Sequence, residues 1–114
     1  MRLNNQKVEA INAALSEWSG ADVLVYSFTA SHRKLTLFVK RLGEREGLEL
    51  VCIGCESMSG PFAWRDSALT ASGLYDQSDG SASVRLVDSQ SHFVLVCADL
   101  VLLPQALVED LGAL

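Results

Sequence analysis

The run Leu48 to Cys55, LELVCIGC, constrains the fold more than any other part of the chain. Read as a β-strand it carries apolar side chains on both faces, so it belongs at the centre of a sheet rather than at its edge. It holds two of the three cysteines and runs into SMSGPFAW, the most loop-like and most aromatic turn in the sequence. The elements on either side must therefore supply both its strand neighbours and its cover.

Upstream, Val8, Ile11, Leu15 and Trp18 recur at spacings of three and four, which predicts a helix over residues 4–18 with Gly20 as its stop. From Asp22 the period becomes two. Val23 to Phe28 and Leu35 to Lys40 read as two strands of a hairpin, and GEREG as a glycine-bracketed loop before the central strand. Downstream, Ala68 to Asp76 reads as a weak strand or a short irregular helix, with the strand preferred, and DQSDGSA as a turn. SVRLVD and His92 to Leu103 complete the strands, and Pro104 can open a short helix through Leu111.

One helix followed by about six strands joined by tight turns predicts a single α+β domain over 1–114: an N-terminal helix packed on a curved antiparallel meander. The alternative is a small, partly closed β-barrel plugged by the helix. Only one face of a six-stranded sheet can be covered by one helix. Val51, Ile53, Val94, Val96 and Ala98 lie opposite Leu50, Cys52, Phe93, Leu95 and Cys97, so a second apolar face needs cover. A homodimer is the stronger expectation, with barrel closure or the C-terminal segment as the other covers.

Charge is unevenly placed. Residues 1–57 balance seven basic against seven acidic side chains, whereas residues 58–114 hold two against seven and carry the whole net charge of −5. An acidic half repels phosphate backbones and favours a basic protein partner, which argues against nucleic acid. No run of apolar residues has the length of a membrane span, and the N-terminus lacks the apolar core of a signal peptide, so a cytoplasmic protein is expected.

No motif specifies a reaction. Cys52 and Cys55 form a CxxC, but positions i and i+3 of a strand point to opposite faces unless Gly54 bends the chain, and no second close pair completes a zinc site. Buried free thiols are the expected reading, with no cofactor and no metal. His32 and His92 fall in or beside turns and lack an adjacent nucleophile. Asp99 interrupts an apolar strand and calls for a strand end, a bulge or a partner, Arg85 being the nearest candidate. Phe62 and Trp64, with Asp66 beside them, either present a contact surface or close the end of the core.

The sequence Trp18, Ser19, Gly20, Ala21, Asp22, followed by LTLFV and LELVCIGCESMSGPFAW, resembles small uncharacterised bacterial α+β proteins, some of them classed as immunity proteins of toxin systems. The likeness spans most of the chain as a strand rhythm. Members of that group often carry a histidine where this chain has Ala21. The resemblance implies a small antiparallel sheet with a helix and a protein partner, and it transfers no catalytic residue.

The functional expectation is a non-enzymatic protein-binding domain with candidate contact residues Phe62, Trp64, Asp66, His92 and Asp99. An immunity-like protein that blocks a basic toxin is its concrete form. The rival is a small enzyme or ligand-binding domain with a pocket between helix and sheet lined by His92, Asp99 and Cys97. An orphan protein of a mobile cassette is the third reading.

Overall fold

A computed structural model describes residues 5–41, 43–75 and 82–105. Among these residues one helix, α1 (Asn5–Glu17), precedes nine strands: β1 (Asp22–Thr29), β2 (Lys34–Lys40), β3 (Gly47–Ile53), β4 (Ser57–Ser59), β5 (Ala63–Trp64), β6 (Thr70–Tyr75), β7 (Ala82–Asp88), β8 (Phe93–Cys97) and β9 (Asp99–Gln105). They form two antiparallel sheets, ordered β5-β1-β2-β3-β9 and β4-β8-β7-β6. The α+β class holds. The single six-stranded meander does not, and neither sheet closes into a barrel.

Two corners in the chain account for the difference. At the first, the expected central strand stops at Ile53 and resumes as β4; at the second, the expected unbroken last strand divides at Ala98 into β8 and β9. Both corners lie side by side. Ile53 pairs with Asp99 in one sheet and Ser57 with Val96 in the other. Between them the Ala98 N–H donates to the Ile53 carbonyl at 2.9 Å and to that of Gly54 at 3.2 Å, and the Glu56 N–H to the Val96 carbonyl at 2.8 Å. One antiparallel pair of strands thus passes from sheet to sheet with its hydrogen bonding nearly continuous. Gly54 makes the bend possible: its φ is +66°, and a Cβ there would sit 2.9 Å from the Ala98 Cβ.

The bend also settles what covers the interior. Leu37, Leu50, Cys52 and Leu100 from the five-stranded sheet join Val84, Leu86, Phe93, Leu95 and Cys97 from the four-stranded one in a single buried cluster. Sheet covers sheet, as alternating strands allow when two inner faces meet. β3 lies inside its sheet, between β2 and β9, as its apolar composition requires.

The helix contributes Ile11 and Leu15 to that cluster and packs chiefly against β6. There the Asn12 side chain donates to the Ala71 carbonyl at 2.8 Å and accepts from the Ala71 N–H at 2.7 Å. It acts as a one-residue strand partner for the β6 edge, where an unmet peptide group would otherwise be costly.

Pro104 lies in a strand and does not start a helix: it pairs with Leu48. β9 is the edge of its sheet, where a missing N–H can face outward without breaking the ladder. The rest of the expected C-terminal helix and the DQSDGSA turn lie largely outside the described residues.

Candidate functional site

β1 is finished differently along its two halves. Its first half is flanked by β2 on one side and by β5 on the other, through the pairs Val23 with Trp64 and Leu24 with Ala63. The Val25 N–H then donates to the Phe62 carbonyl at 2.6 Å. Beyond this bond the chain of Gly60 and Pro61 departs toward β4, and the remaining residues of β1 have a strand neighbour only in β2. An irregularity in register between Val25 and Ser27 inserts Tyr26 as an extra residue.

Tyr26, Ser27, Phe28 and Thr29 are consecutively exposed. Phe28 is 54% exposed, Tyr26 52% and Phe62 70%. The Tyr26 ring stands edge-on to Phe38 at 4.7 Å. On the other side of the strand, a groove of about 380 Å³ opens between β1 and β4, lined by Val25, Phe28, Leu35, Cys55, Met58 and Phe62, with Glu56 and Ser57 as its polar members. Large aromatic groups are thus left in water beside an open strand edge and an apolar groove.

Trp64 has the opposite fate. Its indole packs on Phe93 with ring centroids 4.6 Å apart, and its Nε1–H donates to Asp88 Oδ2 at 2.8 Å. Asp88, at the end of β7, is 0% exposed. Its Oδ2 also accepts from the Ala68 N–H at 2.9 Å, while Oδ1 accepts from the Gln90 N–H at 3.1 Å and the Ser91 N–H at 3.4 Å. Four donors thus hold a buried carboxylate that has no cationic partner among the described residues. The segment after Trp64 is also pinned to the start of β1, by Gly20 N–H to the Ser67 carbonyl at 2.8 Å and Ser67 N–H to the Ala21 carbonyl at 3.0 Å.

The candidate residues therefore fall into two groups. Phe62, Trp64 and Asp66 share one loop, which touches the His92 turn through Trp64 and Phe93 and through Gly60, whose Cβ would lie 2.9 Å from the His92 carbonyl oxygen. Asp66 and His92 are exposed turn residues with φ of +57° and +60°. Asp99 stands apart, at the corner between the sheets, ion-paired with Lys7 of the helix rather than with Arg85. Its carboxylate also accepts the Leu100 N–H at 2.9 Å.

His92, Asp99 and Cys97 do not converge. The cavity between helix and sheet, about 450 Å³, is lined by Asn12, Leu15, Ser16, Ser19 and residues 68–70. Cys97 is sealed in the core against Cys52. The Cys52 thiol is pushed up by its hydrogen bond with Cys97 and by burial, and that of Cys55 chiefly by burial. Gly54 turns the chain between Cys52 and Cys55, so both sulfurs are buried despite their spacing. Thiols held protonated in this way are poor nucleophiles. Among the described residues no group of three or more His, Cys, Asp or Glu side chains is arranged to hold a metal ion, and no helix is long and apolar enough to cross a membrane.

Two features escape a reading of the sequence. Asp88 looks there like an ordinary strand end, although the DSQS that it opens is the pattern of a turn in which an aspartate accepts N–H groups two and three residues on. The open half of β1 has no local signal, because it is created by where β5 stops.

No family model, curated protein or solved structure matches the chain.

Proposed function

We propose that this chain is a non-catalytic protein-binding domain, with an immunity-like role against a basic partner as its specific form. The observation that carries the reading is the exposure of Tyr26, Phe28 and Phe62 around one open strand edge. Aromatic side chains in that setting gain most from being covered by another protein. The net charge of −5 favours a basic partner, and a second copy of the chain is the other occupant consistent with an exposed apolar surface.

Replacing Phe62 with photocrosslinkable p-benzoylphenylalanine tests this in the producing cell, with the same group at the exposed position of Glu46 as the control. A discrete adduct from position 62 and none from position 46 is expected. An adduct of twice the chain mass identifies a homodimer, and any other mass a separate partner. Equal or absent crosslinking at the two positions would overturn the reading. For a basic partner the yield should fall as ionic strength rises, because exposed charges are screened beyond ~8 Å at physiological salt.

A further inference from the structure

We propose that the groove between β1 and β4 takes an extended segment of a partner polypeptide, which adds a strand to the open edge of β1 at Tyr26–Thr29, seats an apolar side chain between Phe28, Met58 and Phe62, and places a Lys or Arg against Glu56. The proposal rests on the protein-binding reading above and specifies its contact. Three observations on different parts of the chain converge on it. First, the outer edge of β1 is already used as a strand template: Trp64, Ala63 and the Phe62 carbonyl lie along it until Val25, and the chain then leaves it. The residues that follow are exposed and have a strand neighbour only in β2, and an edge of this kind is satisfied by another strand.

Second, the groove beside that edge has walls from both sheets. Phe28 and Val25 come from β1 and Met58 from β4, itself the terminal strand of its sheet. At about 380 Å³ it has the size of a side-chain or small-ligand pocket rather than of a helix-binding trough. Third, among the described residues the one charged group lining the groove is the carboxylate of Glu56. Arg33 approaches Cys55 from the hairpin turn, and its carbonyl accepts the Cys55 N–H at 2.7 Å, but it is not part of the lining. An apolar cleft with a single carboxylate at its side selects an apolar residue followed or preceded by a cation.

Geometry favours a separate segment over a second copy. The chain turns at Ala30 directly after Thr29, so a second β1 laid antiparallel on this edge would drive its own turn against Phe62 and β5.

The test uses the whole chain and a fluorescein-labelled peptide of about eight residues, in which Leu and Phe alternate with Lys and Thr, followed by fluorescence anisotropy. Its companions are the same peptide with Glu for Lys, and the same peptide with its central amides N-methylated. The basic peptide is expected to bind. Glu for Lys, N-methylation, Glu56→Lys and Phe28→Ser should each weaken it about tenfold or more, as expected for losing one charged or two neutral hydrogen bonds or, at Phe28, an apolar contact. Circular dichroism and melting of both variants establish that they fold, and amide chemical shifts of the unaltered protein should move at residues 26–29, 57–60 and 62.

Failure of all three peptides to bind, equal binding of the acidic and basic ones, or indifference to N-methylation would overturn the proposal. Self-association that Phe28→Ser abolishes, with no peptide bound, would overturn it in favour of a second copy. Crosslinking at position 62 is independent of these results, so the protein-binding reading can stand where strand addition falls.

Discussion

On one side of Phe62 the chain is sealed, and on the other it is left open. Downstream, Trp64, Ser67 and Ala68 are fastened by an indole packed on Phe93, two backbone hydrogen bonds to residues 20 and 21, and the four-donor carboxylate of Asp88. Upstream, β4 and the second half of β1 diverge and leave Phe28 and Phe62 in water. The two sides use similar residue types, since each has aromatic rings beside a turn. What separates them is a buried acceptor. Where Asp88 can gather the N–H groups of irregular chain, the loop closes as part of the core, because every buried donor is met. Where no such acceptor exists, the edge stays exposed and its aromatic groups remain available.

The contrast would break most visibly at Gly60. Its φ of +126° is accessible essentially to glycine alone, and a Cβ would lie 2.8 Å from the Phe93 Cα, an atom of the backbone that cannot swing aside. Gly60→Ala should therefore cost roughly 3 to 5 kcal/mol, the sum of backbone strain and overpacking, measured by urea denaturation. Asp88→Ala comes next. It strands the Trp64 indole N–H and three peptide N–H groups together, and a loss of about 3 kcal/mol is expected from the same measurement, with Asp88→Asn retaining part of it.

A smaller effect tests whether helix and edge are joined as the Asn12 bonds indicate. Asn12→Ala leaves the Ala71 N–H and carbonyl without their partner and should cost about 1 to 2 kcal/mol, with faster hydrogen exchange at the Ala71 amide. The smallest effect on stability belongs to the open side. Phe62→Ser should move the urea midpoint by less than about 0.5 kcal/mol equivalent, as surface substitutions do, while abolishing the position-dependent partner contact. A large destabilisation by Phe62→Ser would mean that this ring closes the core, and the distinction between the two sides would be lost.

Elements governed by local periodicity were legible in the sequence. Val8, Ile11 and Leu15 define the helix, the alternation from Asp22 and from Leu35 defines the hairpin, and β3 declares its interior position by its apolar content. The sheet switch was not legible in advance. A bend at Gly54 or Ala98 changes the phase of the alternation by a residue or so, and a run such as FVLVCADLVLL reads as one strand until its partners are known. Pro104 shows the same limit, since a proline after a strand and a proline in an edge strand look alike without the pairing.

Among the candidate site residues, Phe62 and Trp64 lie within four positions of Gly60 and have equal claims as surface or core, yet one is exposed and the other bound to Asp88. Their separation depends on a carboxylate remote in sequence. Asp99 interrupts an apolar run and so calls for an explanation in the sequence, but its partner is on the helix at Lys7, which strand neighbours alone cannot reveal.

The shared corner at Gly54 and Ala98 also bears on how the chain acquires its structure in time. β1 and β2 are sequence neighbours and can zip together from their turn, but β3 pairs with β9 from Gly47 with Gln105 to Ile53 with Asp99, across almost the whole second half of the chain. That seam closes a long loop, and its entropy must be offset before any of its bonds form, which places folding in the slower regime of non-local β topologies. During synthesis β3 stands beside β2 with one edge bare until β9 has left the ribosome. Its apolar side chains, useful in the finished interior, are for that interval the part of the protein most prone to pair with the wrong neighbour.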